Sequence, residues 1–353
     1  MLRWIDELGD ADSGIVGAKM ARLGTIRRLG LDVPDGFVVT VDAFRHFLAH
    51  DGLDERIGAG LARLTDPDDL AATEQVSADI RALVERAPMG DAVSARISDA
   101  YEELCFRCSE VEVPVAVRSS ATGEDSADAS FAGQYESYLG MSGNDGVIDT
   151  VRRVWSSLFV ARAITYRARH GLAVRDTPMA VGVIRLVHAR CAGVAFSAHP
   201  VTRKRDRIVV EGTWGWGEAL VQGLVEPDHV EIDKETGRVL DYAIADKRVV
   251  STLDARDGIV REREMPERFR NAACLTDDIL DALWQTVCRV ERHYREPVDI
   301  EWAVERNWRK GSPIAVVQVR PITALGPDAE RPDTPKWDPL RYASRYGMGL
   351  KPR

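Results

Sequence analysis

Apolar residues recur at three- and four-residue intervals through most of the first 110 residues of the chain. The stretch GAKMARLGTIRRLG, residues 17–30, has this spacing and ends at Gly30, and residues 91–106 show the same spacing. A third stretch of this kind runs from Gly146 to Gly171. The pattern therefore predicts a helix-rich N-terminal part with one long helix that ends at Gly171.

The hydrophobic pattern becomes strand-like from residue 179. Short β-branched runs separated by Gly, Pro and Lys/Asp turns fill residues 179–250, which predicts a curved, mostly antiparallel sheet. One more helix is predicted after Thr276, an expected N-cap, and two strands follow at VDIEWAVE and PIAVVQVRP. The chain is thus predicted to be an α+β protein with a helix-rich N-terminal lobe and a sheet-rich C-terminal lobe. The predicted domain bounds are 1–190, 191–325 and, for an extended tail, 326–353.

Composition and charge narrow the classes of function. Of the 353 residues 45% are hydrophobic, but the longest apolar runs are only strand-length, so no membrane span is expected. The N-terminus shows no export signal, which favours a cytoplasmic location. A net charge of −9 disfavours broad nucleic-acid binding, because affinity for phosphate backbones needs clustered cations. A phosphate-bearing ligand would have to be met by a few local cations.

The five cysteines are an odd number spread over a long chain, which favours reduced thiols over a disulfide framework. Cys105 and Cys108 form a CxxC pair, but the pair lies within a helical pattern and has no second pair to complete a zinc site. We therefore expect structural thiols.

The last two predicted strands carry an alternation of apolar and polar residues. If DIEW and VVQVRP pair, the side chains of Glu301, Gln318 and Arg320 project from one face of the sheet. Oxygen ligands beside a cation suit Mg²⁺ held against phosphates. A solvated face with an ordinary salt bridge explains the same spacing.

Arg118 ends the apolar strand VAVR and opens into a loop of small residues, Ser119 to Gly123 and beyond. Small residues let the main chain wrap phosphate oxygens, although neither a GxxxxGK[ST] nor a GxGxxG motif is present. Lys19 follows Gly17 at a predicted helix start, where the helix dipole favours an anion. Glu218 ends a glycine-rich loop, GTWGWGE, that could lie along a nucleotide. Each feature also has a structural explanation. The loop after Arg118 can be a turn between core elements, Lys19 can be a solvated lysine, and the glycine-rich loop can pack its tryptophans in the core.

Taken in order, these segments resemble the nucleotide-binding domain of the phosphoenolpyruvate synthase and pyruvate phosphate dikinase family, which has an ATP-grasp fold. The matching segments are GAKMARLGTIRRLGLDVPDGFVVT, VAVRSSATGEDSADASFAGQYESYL, AGVAFSAHPVT, GTWGWGEALVQGLVEPD and DIEWAVE with VVQVRPIT. Together they extend from about residue 13 to residue 323.

The resemblance implies that the chain binds ATP and Mg²⁺, with ATP between the two lobes. Lys19, Arg118 and Arg320 would be the catalytic cations: the first two would hold ATP phosphates and Arg320 would reach the transferred phosphates. Glu301 and Gln318 would bind Mg²⁺. The further nucleotide contacts that the resemblance implies are Thr122, Gly133, Gln134, Arg185 and Glu218.

The sequence departs from the family pattern at four points, one of which is a hairpin insertion, RNWRKGSP, between the last two strands. Ile184 and Arg185 stand where family members often have the glutamine of VVQRM, and His199 replaces the asparagine of ANPVT. None of the seven histidines lies in the Thr-Ser-His motif that accepts the phosphoryl group in family enzymes. We therefore expect the acceptor histidine on a separate phosphohistidine and acceptor-binding subunit, or elsewhere in a longer enzyme. Aromatic and basic residues in the tail favour a separate subunit.

The mechanism that the resemblance implies is attack by the partner's histidine on the β-phosphate of ATP, with release of AMP and then of phosphate. Phenol, pyruvate and an antibiotic hydroxyl are all compatible acceptors. Two alternatives are a nucleotide-sensing subunit without chemistry and a self-sufficient ATP-grasp ligase that makes ADP.

Overall fold

The computed structural model describes residues 1–122, 125–126, 129–130, 135–174, 177–221, 223–254 and 260–322. The helices in this part of the chain are α1 Ser13–Arg28, α2 Val41–Ala49, α3 Leu53–Leu61, α4 Leu70–Arg86, α5 Asp91–Cys108, α6 Asn144–Ser156, α7 Ala161–His170, α8 Glu218–Val221, α9 Glu267–Arg270 and α10 Asp277–Tyr294.

The strands in the same residues are β1 Leu2–Trp4, β2 Gly36–Val39, β3 Val115–Ala121, β4 Asp125–Ser126, β5 Ala129–Ser130, β6 Ser137–Met141, β7 Met179–Arg185, β8 Ala189–Phe196, β9 Arg207–Trp214, β10 Asp228–Asp233, β11 Val239–Ala243, β12 Val249–Leu253, β13 Val260–Glu264, β14 Val298–Glu305 and β15 Ala315–Pro321.

The first compact unit comprises Met1–Thr25 and Asp35–Leu186. Its main sheet has the strand order β1-β2-β7-β3-β6, and all of these neighbours pair antiparallel. One face of the sheet buries its aliphatic side chains against helices α2 to α7, where Trp155 is fully buried and stacks on Phe47. This unit is the helix-rich part that the sequence predicts.

The second compact unit comprises Ile26–Pro34 and the residues from Val187 onward. Its sheet has the strand order β11-β10-β9-β8-β14-β15, again with antiparallel neighbours throughout. Helix α10 packs against β8 and β14 through an apolar stripe. The α+β class is confirmed. The sequence-based bounds at residues 190 and 325 stay a proposal.

Two details of the sequence prediction were wrong. The strand-rich stretch from residue 179 does not form one sheet, because β7 pairs with β2 and β3 while β8 pairs with β9 and β14. The predicted long helix before Gly171 is two helices, α6 and α7. They are separated by a short 3₁₀ turn at Ser157–Phe159 and by Val160, whose backbone is extended.

The interruption between α6 and α7 has a local cause. Ser156 donates its hydroxyl to the Arg153 carbonyl at 2.8 Å, and Ser157 donates its hydroxyl to the Val154 carbonyl at 2.7 Å. Such bonds compete with the helical ladder and favour a break. Thr276 precedes α10 as predicted, but its side chain makes no capping hydrogen bond.

Within the described ranges, no helix combines the length and the apolar character that crossing a bilayer requires. The five cysteines are free, and both members of the CxxC pair lie in α5. Burial raises the pKa of the Cys108 thiol, which favours the unreactive protonated form.

Candidate functional site

The β3 strand and helix α1 form the cationic part of the candidate site in the first unit. Helix α1 is kinked at Gly17, whose φ of 75° and ψ of 157° are not helical. The backbone N–H of Met20, just past the kink, donates to Ser120 Oγ at 3.4 Å. Lys19 therefore lies in the first turn after the kink, as the sequence predicts, and that turn contacts the strand that carries Arg118.

Gly17 and Gly182 allow α1 to approach the sheet closely. A Cβ at Gly17 would lie 2.2 Å from Ser120 Oγ and 2.3 Å from the Ser120 carbonyl oxygen, and a Cβ at Gly182 would lie 2.3 Å from Met20 Sδ. Arg118 is directly opposite Gly182 in the β3–β7 ladder, so both residues belong to the sheet face that α1 covers. The structure thus places Lys19 and Arg118 at the same face of the first sheet, each half-buried.

Thr122 and Arg185 occupy other positions in this unit. The Thr122 backbone N–H and hydroxyl both donate to the Pro178 carbonyl, at 3.3 and 3.4 Å, so Thr122 is tied to the start of β7. Arg185 lies directly opposite Val115, and strand alternation puts it on the core side of the sheet. The structure does not bring Arg185 onto the face of Arg118, and its role in nucleotide binding stays a prediction.

The structure does not describe the atoms through which three other predicted residues would contact the nucleotide. Gly133 and Gln134 lie outside the described residues, and so does the side chain of Glu218. The backbone of Glu218 begins helix α8, which is anchored because the Ala219 N–H donates to Ser251 Oγ at 3.1 Å. The preceding loop is held by its two tryptophans, which are only partly buried. Their indole N–H groups donate to the carbonyls of Phe269 at 3.1 Å and Val187 at 2.6 Å.

Strands β14 and β15 pair as the alternation predicts. Glu301 is directly opposite Gln318, whose Nε2 donates to Glu301 Oε1 at 2.9 Å, and Asp299 is directly opposite Arg320. Residues opposite one another in a ladder point to the same side. Glu301, Gln318 and Arg320 therefore share one sheet face.

Asp299 is a member of this group that the sequence interpretation missed. Arg320 Nε donates to Asp299 Oδ2 at 2.7 Å, while Asp299 Oδ1 is buried and accepts no hydrogen bond from any described residue. Burial raises the pKa of Asp299, and the charge of Arg320 opposes that rise. The signal was in the sequence: the DIE spacing places two carboxylates on one side of a strand.

The same sheet face continues across the other strands of the second unit. Beside the Asp299 and Glu301 pairs it carries an apolar strip on β8 and β9, which is packed by Leu220 and Ile322. The residues of that strip are Val194, Phe196 and Val209. Beyond the strip is a second polar cluster on β9 and β10, in which Glu211 is directly opposite His229 and Glu231 is directly opposite Val209. One face thus holds two polar groups that flank an apolar strip.

The β14–β15 group has the donors that a magnesium ion prefers. Glu301 offers a carboxylate, Gln318 offers a carboxamide that can turn its oxygen outward, and Asp299 has an oxygen that lacks a partner among the described residues. In the described part of the chain, no three His, Cys, Asp or Glu side chains are grouped tightly enough to hold a metal by themselves. Mg²⁺ ordinarily takes one or two carboxylates together with substrate phosphates, so this set fits Mg²⁺ bound with a nucleotide.

Comparison with known proteins identifies the family to which the chain belongs. Residues 13–337 match the family described as "Pyruvate phosphate dikinase, AMP/ATP-binding domain". The chain belongs to that family, and the resemblance seen in the sequence is confirmed.

Similar proteins include synthases from three archaea. The "Probable phosphoenolpyruvate synthase" of Methanocaldococcus jannaschii is 40% identical over 324 residues, which are 92% of this chain and 27% of that protein. The one of Methanothermobacter thermautotrophicus is 39% identical over 349 residues, 99% of this chain and 49% of that protein. The "Phosphoenolpyruvate synthase" of Pyrococcus furiosus is 33% identical over an alignment 387 positions long, gaps included, which covers 99% of this chain and 47% of that protein. The chain therefore spans between about a quarter and a half of the length of these relatives.

Proposed function

We propose that this chain is the ATP-binding part of a phosphoenolpyruvate-synthase-like phosphotransferase. In this proposal it binds ATP with Mg²⁺ and presents the phosphates to a histidine that lies outside these residues. The observation that carries the proposal is the row of paired side chains on β14 and β15, where Glu301 and Gln318 adjoin Asp299 and Arg320. Membership in a family of AMP/ATP-binding domains supports the choice of nucleotide.

The chain's own contribution is positioning and charge neutralisation. Phosphoryl transfer needs little covalent help from protein side chains, so cations and fixed dipoles near the transferred group account for most of the catalysis. Bound Mg²⁺ would neutralise phosphate charge. Arg320, whose Nε is fixed by Asp299, would direct the rest of its guanidinium toward phosphate oxygens. Lys19 and Arg118 would hold further phosphate oxygens, and Thr122, Gly133, Gln134, Arg185 and Glu218 stay proposed nucleotide contacts.

The proposed reaction has two balanced steps. The unprotonated nitrogen of the partner's histidine attacks the β-phosphorus of ATP, the bond between the α,β-bridging oxygen and that phosphorus breaks, and AMP leaves. Water then displaces the terminal phosphate as inorganic phosphate, which leaves a phosphohistidine for transfer to the acceptor. The names of the relatives favour pyruvate as the acceptor. Phenol, as for the small subunit of phenylphosphate synthase, and an antibiotic hydroxyl such as that of a rifamycin are the other proposed acceptors.

The test follows both the label and the nucleotide product. The chain is incubated with Mg²⁺, ATP labelled at the β-phosphate and a purified polypeptide that carries the family's phosphohistidine domain. We expect AMP, inorganic phosphate and an acid-labile label on the partner. ADP formed without a partner would instead indicate a ligase, and ATP that binds but stays unchanged with every partner would indicate a nucleotide-sensing subunit.

Matched variants tie the result to the proposed site. Arg320→Ala should slow labelling of the partner by on the order of a hundredfold or more, whereas Arg309→Ala, which changes an exposed arginine in the β14–β15 connection, should leave the rate unchanged. Calorimetry with Mg²⁺ and ATP, done without a partner, separates loss of binding from loss of transfer. Labelling at the wild-type rate by the Arg320 variant would contradict the proposed site.

A further inference from the structure

The hairpin between β8 and β9 is organised around one buried histidine. His199 is only 7% exposed and follows β8 by three residues. Its Nδ1 lies 3.1 Å from the backbone nitrogen of Val201 and 3.2 Å from that of Thr202. The loop is closed further by two backbone bonds, from the His199 N–H to the Lys204 carbonyl and from the Arg203 N–H to the His199 carbonyl, both at 2.8 Å.

The two bonds to Nδ1 determine the protonation state of the ring. A backbone N–H can only donate, so the nitrogen that receives two of them must carry a lone pair and no proton. The neutral ring therefore carries its proton on Nε2, which lies 3.6 Å from Glu231 Oε1. Any further proton has to enter at Nδ1, the atom that holds the turn together.

We propose that His199 makes the β8–β9 hairpin an acid-sensitive switch, in which protonation of Nδ1 releases the turn that neutral His199 holds closed. A charged imidazole has a donor at both nitrogens. It cannot accept from Val201 and Thr202, so the ring and the turn have to separate. An asparagine side chain can accept the same two bonds at any pH, because its carboxamide does not titrate. The sensitivity thus belongs to the histidine and not to the turn as such.

The charged groups around His199 determine whether its pKa is raised or lowered. Burial lowers the pKa of His199 below its ordinary value, and the negative charge of Glu231 on β10 opposes that effect. His229 on β10, Arg207 on β9 and Lys204 in the loop all disfavour a second positive charge nearby. Glu231 is itself engaged by Arg207, whose Nη1 donates to Glu231 Oε2 at 2.6 Å. The turn is therefore closed near neutral pH and opens only in acid.

Release of this turn would affect more than the loop. Ser197, two residues before His199, donates its backbone N–H to the Val298 carbonyl at 2.9 Å and accepts the Val298 N–H on its hydroxyl at 2.8 Å. Val298 begins β14. The hairpin also holds Arg203 in a left-handed conformation, with φ of 63°, which is unfavourable for a side chain with a Cβ. An open turn would relieve that strain, which lowers the free-energy cost of opening.

The test compares amide hydrogen exchange in the full chain and in His199→Asn between pH 5 and pH 8. The measured quantity is the ratio of the exchange rates of the two proteins at the Val201 and Thr202 amides, because this ratio cancels the intrinsic pH dependence of exchange. We expect a constant ratio near neutral pH. As pH falls below the ordinary pKa that His199 has in the open turn, about 6.5, we expect the wild-type amides to exchange up to about tenfold faster per pH unit, relative to the variant, until the closed turn also binds the proton.

Two controls keep the test decisive. His229→Gln removes the neighbouring imidazole and should still show the acid-dependent rise in exchange relative to His199→Asn. If His199→Asn does not fold, nitrogen-15 chemical shifts of the wild-type His199 ring report the same property: we expect Nε2–H with an unprotonated Nδ1 at neutral pH. A flat exchange ratio down to pH 5, or a proton on Nδ1 at neutral pH, would overturn the proposal. Neither measurement depends on nucleotide binding, so the result is independent of the proposed function.

Discussion

The two ends of one face of the six-stranded sheet both carry paired polar side chains, but they differ in whether every buried carboxyl oxygen has a hydrogen-bond partner. At the β14–β15 end, Asp299 is paired with Arg320 and Glu301 with Gln318. At the β9–β10 end, His229 Nδ1 lies 3.4 Å from Glu211 Oε1. Burial raises the pKa of both Asp299 and Glu211, and the partner, Arg320 or His229, opposes the rise in each case.

What distinguishes the two ends is the kind of buried oxygen that lacks a hydrogen-bond partner in the described residues. At the β14–β15 end this oxygen is Asp299 Oδ1 of a carboxyl group, whereas on β9 it is the hydroxyl oxygen of Thr213 and neither side-chain oxygen of Glu211 is in this state. A buried acceptor without a donor costs free energy, and native proteins retain such groups mainly where a ligand or a function uses them. We infer that the β14–β15 end is built to receive a cation and a phosphate, and that the β9–β10 end is built to hold the sheet together. The predictions below test this contrast.

The largest effect is expected from Arg320→Ala. The change removes a cation from the site of charge development and leaves Asp299 without its ion-pair partner. Loss of one preorganised charge in a phosphoryl-transfer site typically costs on the order of a hundredfold or more in rate. The measurement is the single-turnover rate of partner labelling from ATP. A rate within about twofold of wild type would show that this end of the face is not catalytic.

A smaller effect is expected from the same substitution made at each end, Glu301→Gln and Glu211→Gln. The first removes a charged oxygen ligand from the proposed Mg²⁺ set, so Mg²⁺-dependent ATP affinity should fall about tenfold, the loss seen when a metal site is weakened. The second should leave that affinity unchanged, because Glu211 lies roughly 10 Å away, two strand spacings across the face. Titration calorimetry at several Mg²⁺ concentrations measures both.

A third Glu→Gln variant is the control for effects on folding. Glu296→Gln alters an exposed glutamate just before β14 and should behave as wild type in the same calorimetry. Equal losses for Glu211→Gln and Glu301→Gln would contradict the division of the face into a ligand end and a structural end.

The sequence predicted which side chains share a face at the β14–β15 end, but not at the β9–β10 end, for a physical reason. Strands β14 and β15 are joined by a short connection, so period-two alternation alone indicates which side chains of DIE and QVR share a face. The partnership of Glu211 with His229 depends instead on the register of β9 and β10, which are separated by helix α8 and its flanking loops. Local pattern carries no information about that register.

The fold shows the same limit. Helical periodicity located α5 and α10 correctly, because an amphipathic stripe is a local property, and the spacing of apolar residues located α1 beyond its kink at Gly17. The sheet to which β7 belongs could not be predicted, because a buried strand looks alike in either sheet. The break between α6 and α7 depends on whether the hydroxyls of Ser156 and Ser157 bond back to helix carbonyls. The sequence does not show this, because serine occurs both in continuous helices and at helix breaks. Asp299 was visible in the sequence, but only its buried oxygen, which has no partner among the described residues, distinguishes it from an ordinary salt-bridge partner.

The smallest expected effect is a change in the pH dependence of stability for Asp299→Asn and Glu211→Gln. Because burial raises the pKa of each carboxyl, the folded protein retains the proton to a higher pH than the unfolded chain does. The carboxyl therefore lowers stability progressively as pH rises above its unfolded pKa, at about 4, and this loss stops once the folded carboxyl is ionised as well. An amide does not titrate, so each variant should gain stability relative to wild type as pH rises from 4 to 8.

The gain should be about 1 kcal/mol or less, the usual size for one buried polar group, since each amide also weakens a bond to Arg320 or His229. Urea unfolding at a series of pH values measures the gain. The two variants should then differ in function alone: Asp299→Asn should lose affinity for ATP with Mg²⁺ while Glu211→Gln retains it. A Glu211 variant that lost ATP affinity at unchanged stability would extend the ligand site across the whole sheet face, because nucleotide contacts would then have to reach β9.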